Sequence, residues 1–331
     1  MYITNFTTRE DIENFIISNL QKKRSFAIYA LKYMGKTYLL NQIYKEIKEK
    51  KDTIYIDMSY IFNLEDFYNI FKINIKRIFE NKFDDVFDDD LKKIEFIFNL
   101  LGKKAENENR DIYIFIDNFE KIEDIQNSKL DLNYIFNNSF INFQNLIFCV
   151  TINNSFGIDT FKDFKSPLYS FCEVLDLPNL SEKEISIYLY KELKELEITQ
   201  DLVFYIMKKT NNIIYYIDKI CSILKHKNKI TKEDIDKILN EIYKNYLIEL
   251  YNIKLNSIRG KKYLSDILYL IATNKNPYDE LLIKVGNRGN ISKMIKTLEK
   301  ENLICKIKEP KVKYIIYDPF FKKYVLENFA R

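Results

Sequence analysis

Apolar residues along the first half of the chain alternate between two periods. In DIENFIISNLQK (11–22), Ile12, Phe15, Ile16 and Leu20 fall on one helical face. FAIYA (26–30) is a short apolar run with strand character, followed by KYMGKT. The helical period returns in TYLLNQIYKEIKEK (37–50) through Leu39, Leu40, Ile43 and Ile47. DTIYIDM (52–58) is a second strand, and 63–80 and 90–101 read as helices. DIYIFIDNF (111–119) is nearly all apolar, as a strand covered on both faces must be. LIFCVTI (146–152) and FCEVLDLP (171–178) add two more. Strands alternating with helices predict an α/β domain over 1–178, a parallel sheet with helices on both faces.

The pattern then changes. SEKEISIYLYKELKELE (181–197) opens an all-helical stretch, and Ser181 with Glu184 forms a capping box. ITKEDIDKILNEIYKNYL (230–247) repeats the device with Thr231 and Asp234, so 179–258 reads as a helical lid domain. In 259–331, three helical segments (KYLSDILYLIATN, PYDELLIKVGN and NISKMIKTLEKEN) precede two strands, LICKIKE (303–309) and KYIIYDP (313–319). FFKKYVLENF closes the chain with a helix. Three helices and a hairpin are the layout of a winged helix-turn-helix domain.

Composition removes several classes of chemistry. The cysteines at 149, 172, 221 and 305 have no CxxC spacing, and His226 is the only histidine. A zinc site, a disulfide framework and a Ser-His-Asp triad are therefore not expected. A net charge of +4 over 331 residues names no partner. The start MYITNFTTRED lacks the form of a signal peptide, and no apolar run is long enough to cross a bilayer, so a cytoplasmic protein is expected. The acidic run FDDVFDDDLKK (83–93) reads as a solvated loop and helix start rather than a metal site.

Candidate chemistry sits where the first strand meets the second helix. Ala30-Leu31-Lys32-Tyr33-Met34-Gly35-Lys36-Thr37 matches the phosphate-binding loop pattern G-x-x-x-x-G-K-[ST] except for its first glycine. Backbone N–H groups and the helix N-terminus would cradle phosphate, Lys36 would neutralise the β/γ oxygens, and Thr37 would give a hydroxyl to Mg²⁺. Alanine costs the first position only its freedom to take a positive φ. IYIFIDNFE supplies the partner strand, with Asp117 at its carboxyl end to order the Mg²⁺ shell. An amide cannot be a general base, which leaves Glu120, two residues beyond Asn118, as the alternative and predicts slow turnover. Thr151, Asn153 or Asn154, after the next strand, could sense a γ-phosphate.

Taken in order, these motifs resemble the archaeal and bacterial ATPase family of the STAND branch, within the AAA+ class of P-loop NTPases. NFTTREDIENF (5–15) resembles its opening Phe-x-x-Arg segment, with Arg9 at the arginine. YALKYMGKT resembles its phosphate loop with Lys32 basic, and Tyr33, Met34 and Tyr38 fall in the same stretch. IYIDM (54–58), IFIDNFEKI, LDLPNLSEKE (175–184) and DPFFKKYV (318–325) match further positions. The resemblance implies an ATP/ADP-binding, Mg²⁺-dependent AAA+-like core with a helical lid and a winged helix. ATP rather than GTP, a switch role, a protein partner and self-association are implied by the resemblance alone. Three departures stand out: Ala30, Asn118, and TNNIIYYID (210–218), which has neither the glycine nor the proline usual in the lid. No arginine finger is assigned, Arg259 and Arg288 being candidates.

The third C-terminal helix offers Asn290, Ser292, Lys293, Lys296 and Lys300 after Arg288. The wing offers Lys306, Lys308, Lys311 and Lys313. Lysines favour phosphate contact, so double-stranded DNA would be held with weak base preference and strong salt dependence. Three readings therefore stand: a nucleotide-dependent switch; a DNA-binding regulator or mobile-element or replication-initiator-like factor with auxiliary ATP; or a P-loop scaffold that serves only for interaction.

Overall fold

The computed structural model describes residues 8–79, 89–123, 125, 129–153, 160–196, 198–227, 229–256, 258, 261, 263–307 and 312–329. The chain divides into two compact units, Met1–Pro178 and Asn179–Arg331.

The first unit opens with α1 (Arg9–Leu20), which starts two residues before the apolar period predicts. The cause is a capping box: the Thr8 hydroxyl accepts from the Asp11 N–H, and the Asp11 carboxylate accepts from the Thr8 N–H. There follow β1 (Phe26–Tyr29), α2 (Lys36–Lys48), β2 (Asp52–Asp57), α3 (Leu64–Phe79), α4 (Asp90–Asn107), β3 (Ile112–Asp117), α5 (Lys129–Asn142), β4 (Leu146–Ile152) and β5 (Glu173–Asp176). All five strands are parallel, in the order β2-β3-β4-β1-β5. Of the acidic run, only residues from Asp89 on are described; Asp89 caps α4 by accepting from the Lys92 N–H.

Alternate strand residues serve opposite faces, as the two-residue period dictates. On one face Ile54, Ile114, Phe148 and Val150 join Phe67, Phe71, Phe98 and Phe136 from α3, α4 and α5 in a single apolar cluster. The rings meet edge to face or tilted, Phe98 to Phe136 at 5.2 Å and Phe136 to Phe148 at 6.0 Å. Such pairs add about 1 kcal/mol each beyond the area they bury. On the other face Tyr44 of α2 packs on Tyr55 and Phe115, and Phe15 of α1 meets Phe26. Cover on both sides makes the carboxyl ends of β1, β3 and β4 the place where polar side chains can gather.

The second unit begins with α6 (Glu182–Glu192), α7 (Gln200–Thr210), α8 (Ile214–Leu224) and α9 (Lys232–Ile242). Both capping boxes expected at Ser181 and Thr231 are present. After α7, Asn211 and Asn212 both take left-handed conformations, φ 51° and 58°. Asparagine is the side chain that best tolerates this, so the pair does the turning usually left to glycine. The single helix predicted to 247 is interrupted by a π turn over Tyr243–Leu247 before α10 (Ile248–Asn256).

Then come α11 (Leu264–Ala272), α12 (Pro277–Val285), α13 (Arg288–Lys300), the antiparallel pair β6 (Cys305–Ile307) and β7 (Lys313–Ile315), and α14 (Pro319–Phe329). Asp318 sits at the start of α14 as a hub. Its Oδ1 accepts from the N–H groups of Phe320 and Phe321 at 2.9 and 3.2 Å. Its Oδ2 accepts from the hydroxyls of Tyr216 and Tyr251, each at 2.8 Å. Tyr324 donates to Asn252 at 2.5 Å and Tyr243 donates to Glu327, so α14 is tied to α8, the π turn and α10.

No helix among the described residues is long and apolar enough to cross a membrane. Cys149, Cys172 and Cys221 are buried, and burial raises all three thiols well above the range in which cysteine is reactive.

Candidate functional site

The loop between β1 and α2 turns through two left-handed residues, Tyr33 at φ 72° and Gly35 at φ 85°. Gly35 is the N-cap of α2, and glycine carries no penalty there. Ala30 is not among the described residues with positive φ, so its methyl meets no backbone conflict. It is buried, and its N–H donates to the Ile152 carbonyl at 3.3 Å. The loss of the first glycine is therefore absorbed without strain. Tyr33 carries the unusual conformation instead, which for a bulky residue costs on the order of 1–3 kcal/mol.

Lys36 is 5% exposed. Its Nζ donates to the carbonyls of Ala30 at 2.8 Å and Leu31 at 2.9 Å, laying the ammonium across the inside of the loop. Burial lowers its pKa to about 8; nearby Glu120 and Asp117 oppose the shift, while Lys32 and Arg9 add to it. Here a positive charge is held out of water with no carboxylate bonded to it among the described residues, a condition that favours an incoming anion. Lys32 lies over the Tyr33 ring at 5.0 Å, and Tyr38 is exposed on the first turn of α2.

Asp117, almost fully buried, gathers the two predicted motifs. Its Oδ2 accepts from the Thr37 hydroxyl at 2.7 Å. Its Oδ1 accepts from the Thr151 hydroxyl, and the same Thr151 oxygen accepts from the Asn118 N–H at 2.9 Å. Asn118 is left-handed at φ 56°. Its Nδ2 donates to Asp57 Oδ1 and Ser59 Oγ, both at 3.0 Å, and its Oδ1 accepts from Asn153 Nδ2 at 3.0 Å. Glu120 is held from both sides by Asn153, whose N–H and Nδ2 donate to its two oxygens at 3.1 and 2.5 Å. Burial raises the Glu120 pKa, and those hydrogen bonds oppose the shift.

Lys36, Thr37, Asp117, Asn118, Glu120, Thr151 and Asn153 thus stand together. Arg9 reaches the same loop from α1, donating to the Met34 carbonyl at 3.2 Å. Asp57 and Ser59 were not singled out from sequence, although β2 and β3 both end on aspartate and the structure pairs Asp57 with Asp117. Asn154 lies outside the described residues, as do Arg259, Lys308 and Lys311.

For a divalent cation the available set is one hydroxyl and one carboxylate, Thr37 and Asp117, both hard oxygen donors suited to Mg²⁺. No group of three His, Cys, Asp or Glu among the described residues could hold a metal unaided. The pair therefore fits a Mg²⁺ that brings most of its ligands as water and phosphate.

In the second unit, Ile291, Ile295 and Leu298 bury one side of α13, while Arg288, Lys293, Lys296 and Lys300 are exposed on it. Lys306 and Lys313 are exposed on the ribbon. Ser292 turns inward, donating to the Arg288 carbonyl and lying 3.0 Å from the Tyr278 hydroxyl.

No family model matches this chain, and no curated protein sequence does. Solved structures do match. The Walker-type ATPase PABY2304 of Pyrococcus abyssi has a TM-score of 0.73 at 16% identity, over 98% of each chain. The ORC2 protein of Aeropyrum pernix, solved in ADPNP–ADP complexes, gives 0.64 at 13% identity, over 97% of this chain and 92% of that one. The ORC1 protein of the same organism, solved with DNA, gives 0.53 at 13% identity, over 98% and 93%. The likeness is one of fold: a parallel-sheet P-loop NTPase core of the AAA+ kind in a chain that continues into a mainly helical unit.

Proposed function

We propose that this chain binds ATP with Mg²⁺ at the 30–37 loop and works as a nucleotide-dependent switch of the STAND type with slow hydrolysis. The observation that carries the reading is the 2.7 Å bond between Thr37 and Asp117, beside a buried Lys36 that donates to the loop carbonyls of Ala30 and Leu31. Two motifs 80 positions apart in sequence meet there.

In this reading the amides at the start of α2 and the Lys36 ammonium bind the phosphates. Thr37 and Asp117 hold the Mg²⁺, which when bound supplies charge neutralisation at the β/γ oxygens. Thr151 keeps Asp117 oriented. Glu120 is the general base, and its raised pKa improves its basicity. Both its oxygens are engaged by Asn153, so proton abstraction requires that pair to part. Asn118 is a structural knot between β2 and β3 and takes no proton. Slow turnover follows. The ORC2 structure was solved with ADPNP and ADP, which agrees with an adenine nucleotide here.

For the second unit, we read α11–α13 with the β6–β7 ribbon as a winged helix whose basic side meets DNA phosphate. The exposed Arg288, Lys293, Lys296 and Lys313 support this, as does the DNA complex of the ORC1 protein. Ser292 is occupied internally and is dropped from the contact set.

The test is binding of ATP, ADP and GTP with and without Mg²⁺ to the purified chain, followed by steady-state turnover. Nucleotide affinity that depends on Mg²⁺, with turnover below about 1 s⁻¹, is expected. Absence of any nucleotide binding leaves the scaffold reading. Rapid hydrolysis abolished by Glu120→Gln but retained in Asn118→Ala would keep Glu120 as base and remove the slow switch.

A further inference from the structure

Arg9 joins two places that the phosphate chemistry alone would not connect. The capping box of Thr8 and Asp11 sets Arg9 at the first position of α1. From there its Nη2 donates to two carbonyls, that of Met34 at 3.2 Å and that of Pro178 at 2.6 Å. Met34 precedes Gly35 in the phosphate loop. Pro178 is the last residue of the first unit, and the chain passes directly into the second at Asn179. One guanidinium nitrogen therefore holds both the loop and the segment that leads out of the unit.

We propose that Arg9 is a positioning residue that transmits nucleotide occupancy of the loop to the 177–180 segment; the proposal rests on the ATP reading above. The Met34 carbonyl and the Gly35 N–H belong to one planar trans peptide and point in opposite directions. Fixing the carbonyl on Arg9 aims the amide the other way. An anion accepting from that amide polarises the peptide and makes its carbonyl a stronger acceptor, so the two bonds reinforce each other. Arg9 also lies close enough to Lys36 to lower its pKa, so it adds positive potential at the loop. A phosphate bound at Gly35 thereby tightens the hold on Met34, immobilises the guanidinium and, through its second hydrogen, fixes the Pro178 carbonyl. The charged donor is what makes the link strong, since bonds to charged groups exceed neutral ones by about twofold.

Hydrogen exchange of the full chain, with and without saturating Mg-ATP, tests this. In the wild-type protein ATP is expected to slow exchange in peptides covering both 34–37 and 177–181. In Arg9→Ala, ATP binds about tenfold more weakly. At saturation it still protects 34–37 but no longer protects 177–181. That split is the reading a merely structural arginine would not produce. Wild-type binding without protection at 177–181 overturns the coupling alone, as does coupled protection that survives Arg9→Ala. Failure of the wild-type chain to bind ATP overturns the nucleotide reading and the coupling together. The wild-type comparison stands even where the variant does not fold.

Discussion

Two aspartates organise the two units, and they differ in what they leave open. Asp318 accepts four hydrogen bonds, two from tyrosine hydroxyls and two from backbone N–H groups. Four donors saturate a carboxylate, and no basic side chain is paired with it among the described residues. Asp117 accepts from the hydroxyls of Thr37 and Thr151 and from its neighbour's N–H at 3.2 Å, with the Lys36 charge nearby. A threonine hydroxyl carries lone pairs as well as its proton, so Thr37 and Asp117 can turn toward one cation together. Asp318 has no such reserve. Asp117 therefore suits exchangeable chemistry and Asp318 permanent attachment.

Four experiments can break or sharpen that contrast, the largest effect first. ATP at a hundred to a thousand times its Kd should stabilise the protein by about 3–4 kcal/mol. Lys36→Ala should erase that gain in a thermal shift assay. Next, Asp318→Ala should destabilise the second unit by about 3 kcal/mol, because four donors lose their acceptor. It should leave ATP affinity within about twofold of wild type, since no nucleotide contact is removed. Asp117→Asn should do the reverse, costing under about 1 kcal/mol of fold stability while abolishing the Mg²⁺ dependence of ATP binding. Comparable losses of stability in both variants would refute the contrast.

The third experiment uses pH. Lys36 titrates near 8 in the fold and near its ordinary 10.5 when unfolded. Below 8 both states are protonated and the fold bears the cost of a buried charge. Between 8 and 10.5 the folded protein sheds the proton while the unfolded chain keeps it, so stability rises with pH. ATP affinity must fall over the same window, because the ammonium is lost. The difference between wild type and Lys36→Met in denaturant melts isolates the first trend, and titration calorimetry reads the second. The smallest effect is expected from Tyr216→Phe, at about 1 kcal/mol. Its coupling to Tyr251→Phe should be detectable, since both hydroxyls share one oxygen of Asp318.

Much of the fold could be read from single positions. β3 and β4 are buried along their lengths, β1 at all but Tyr29, and all three show as apolar runs; the capping boxes at Ser181 and Thr231 mark helix starts. α5 was not legible, because its sides are mixed: Ile135 and Phe136 are buried, but so are Asn133 and Ser139, while Tyr134 and Ile141 are exposed. No helical period survives that mixture. At the site, Lys36, Thr37 and Asp117 follow from spacing, since a loop and a strand end can be counted. Asn118 could be recognised as a poor base. That it fastens β2 to β3 through Asp57 and Ser59 depends on strand neighbours, which sequence order does not reveal. The left-handed Tyr33 was equally invisible, because nothing about tyrosine signals that conformation.

The backbone at Ala30 has a consequence for how such chains are found. With no positive φ required at that position, serine or another small residue would fit the turn as comfortably as glycine. A search pattern that insists on glycine there selects for ancestry more than for mechanics, and would pass over relatives in which only Gly35 has been kept.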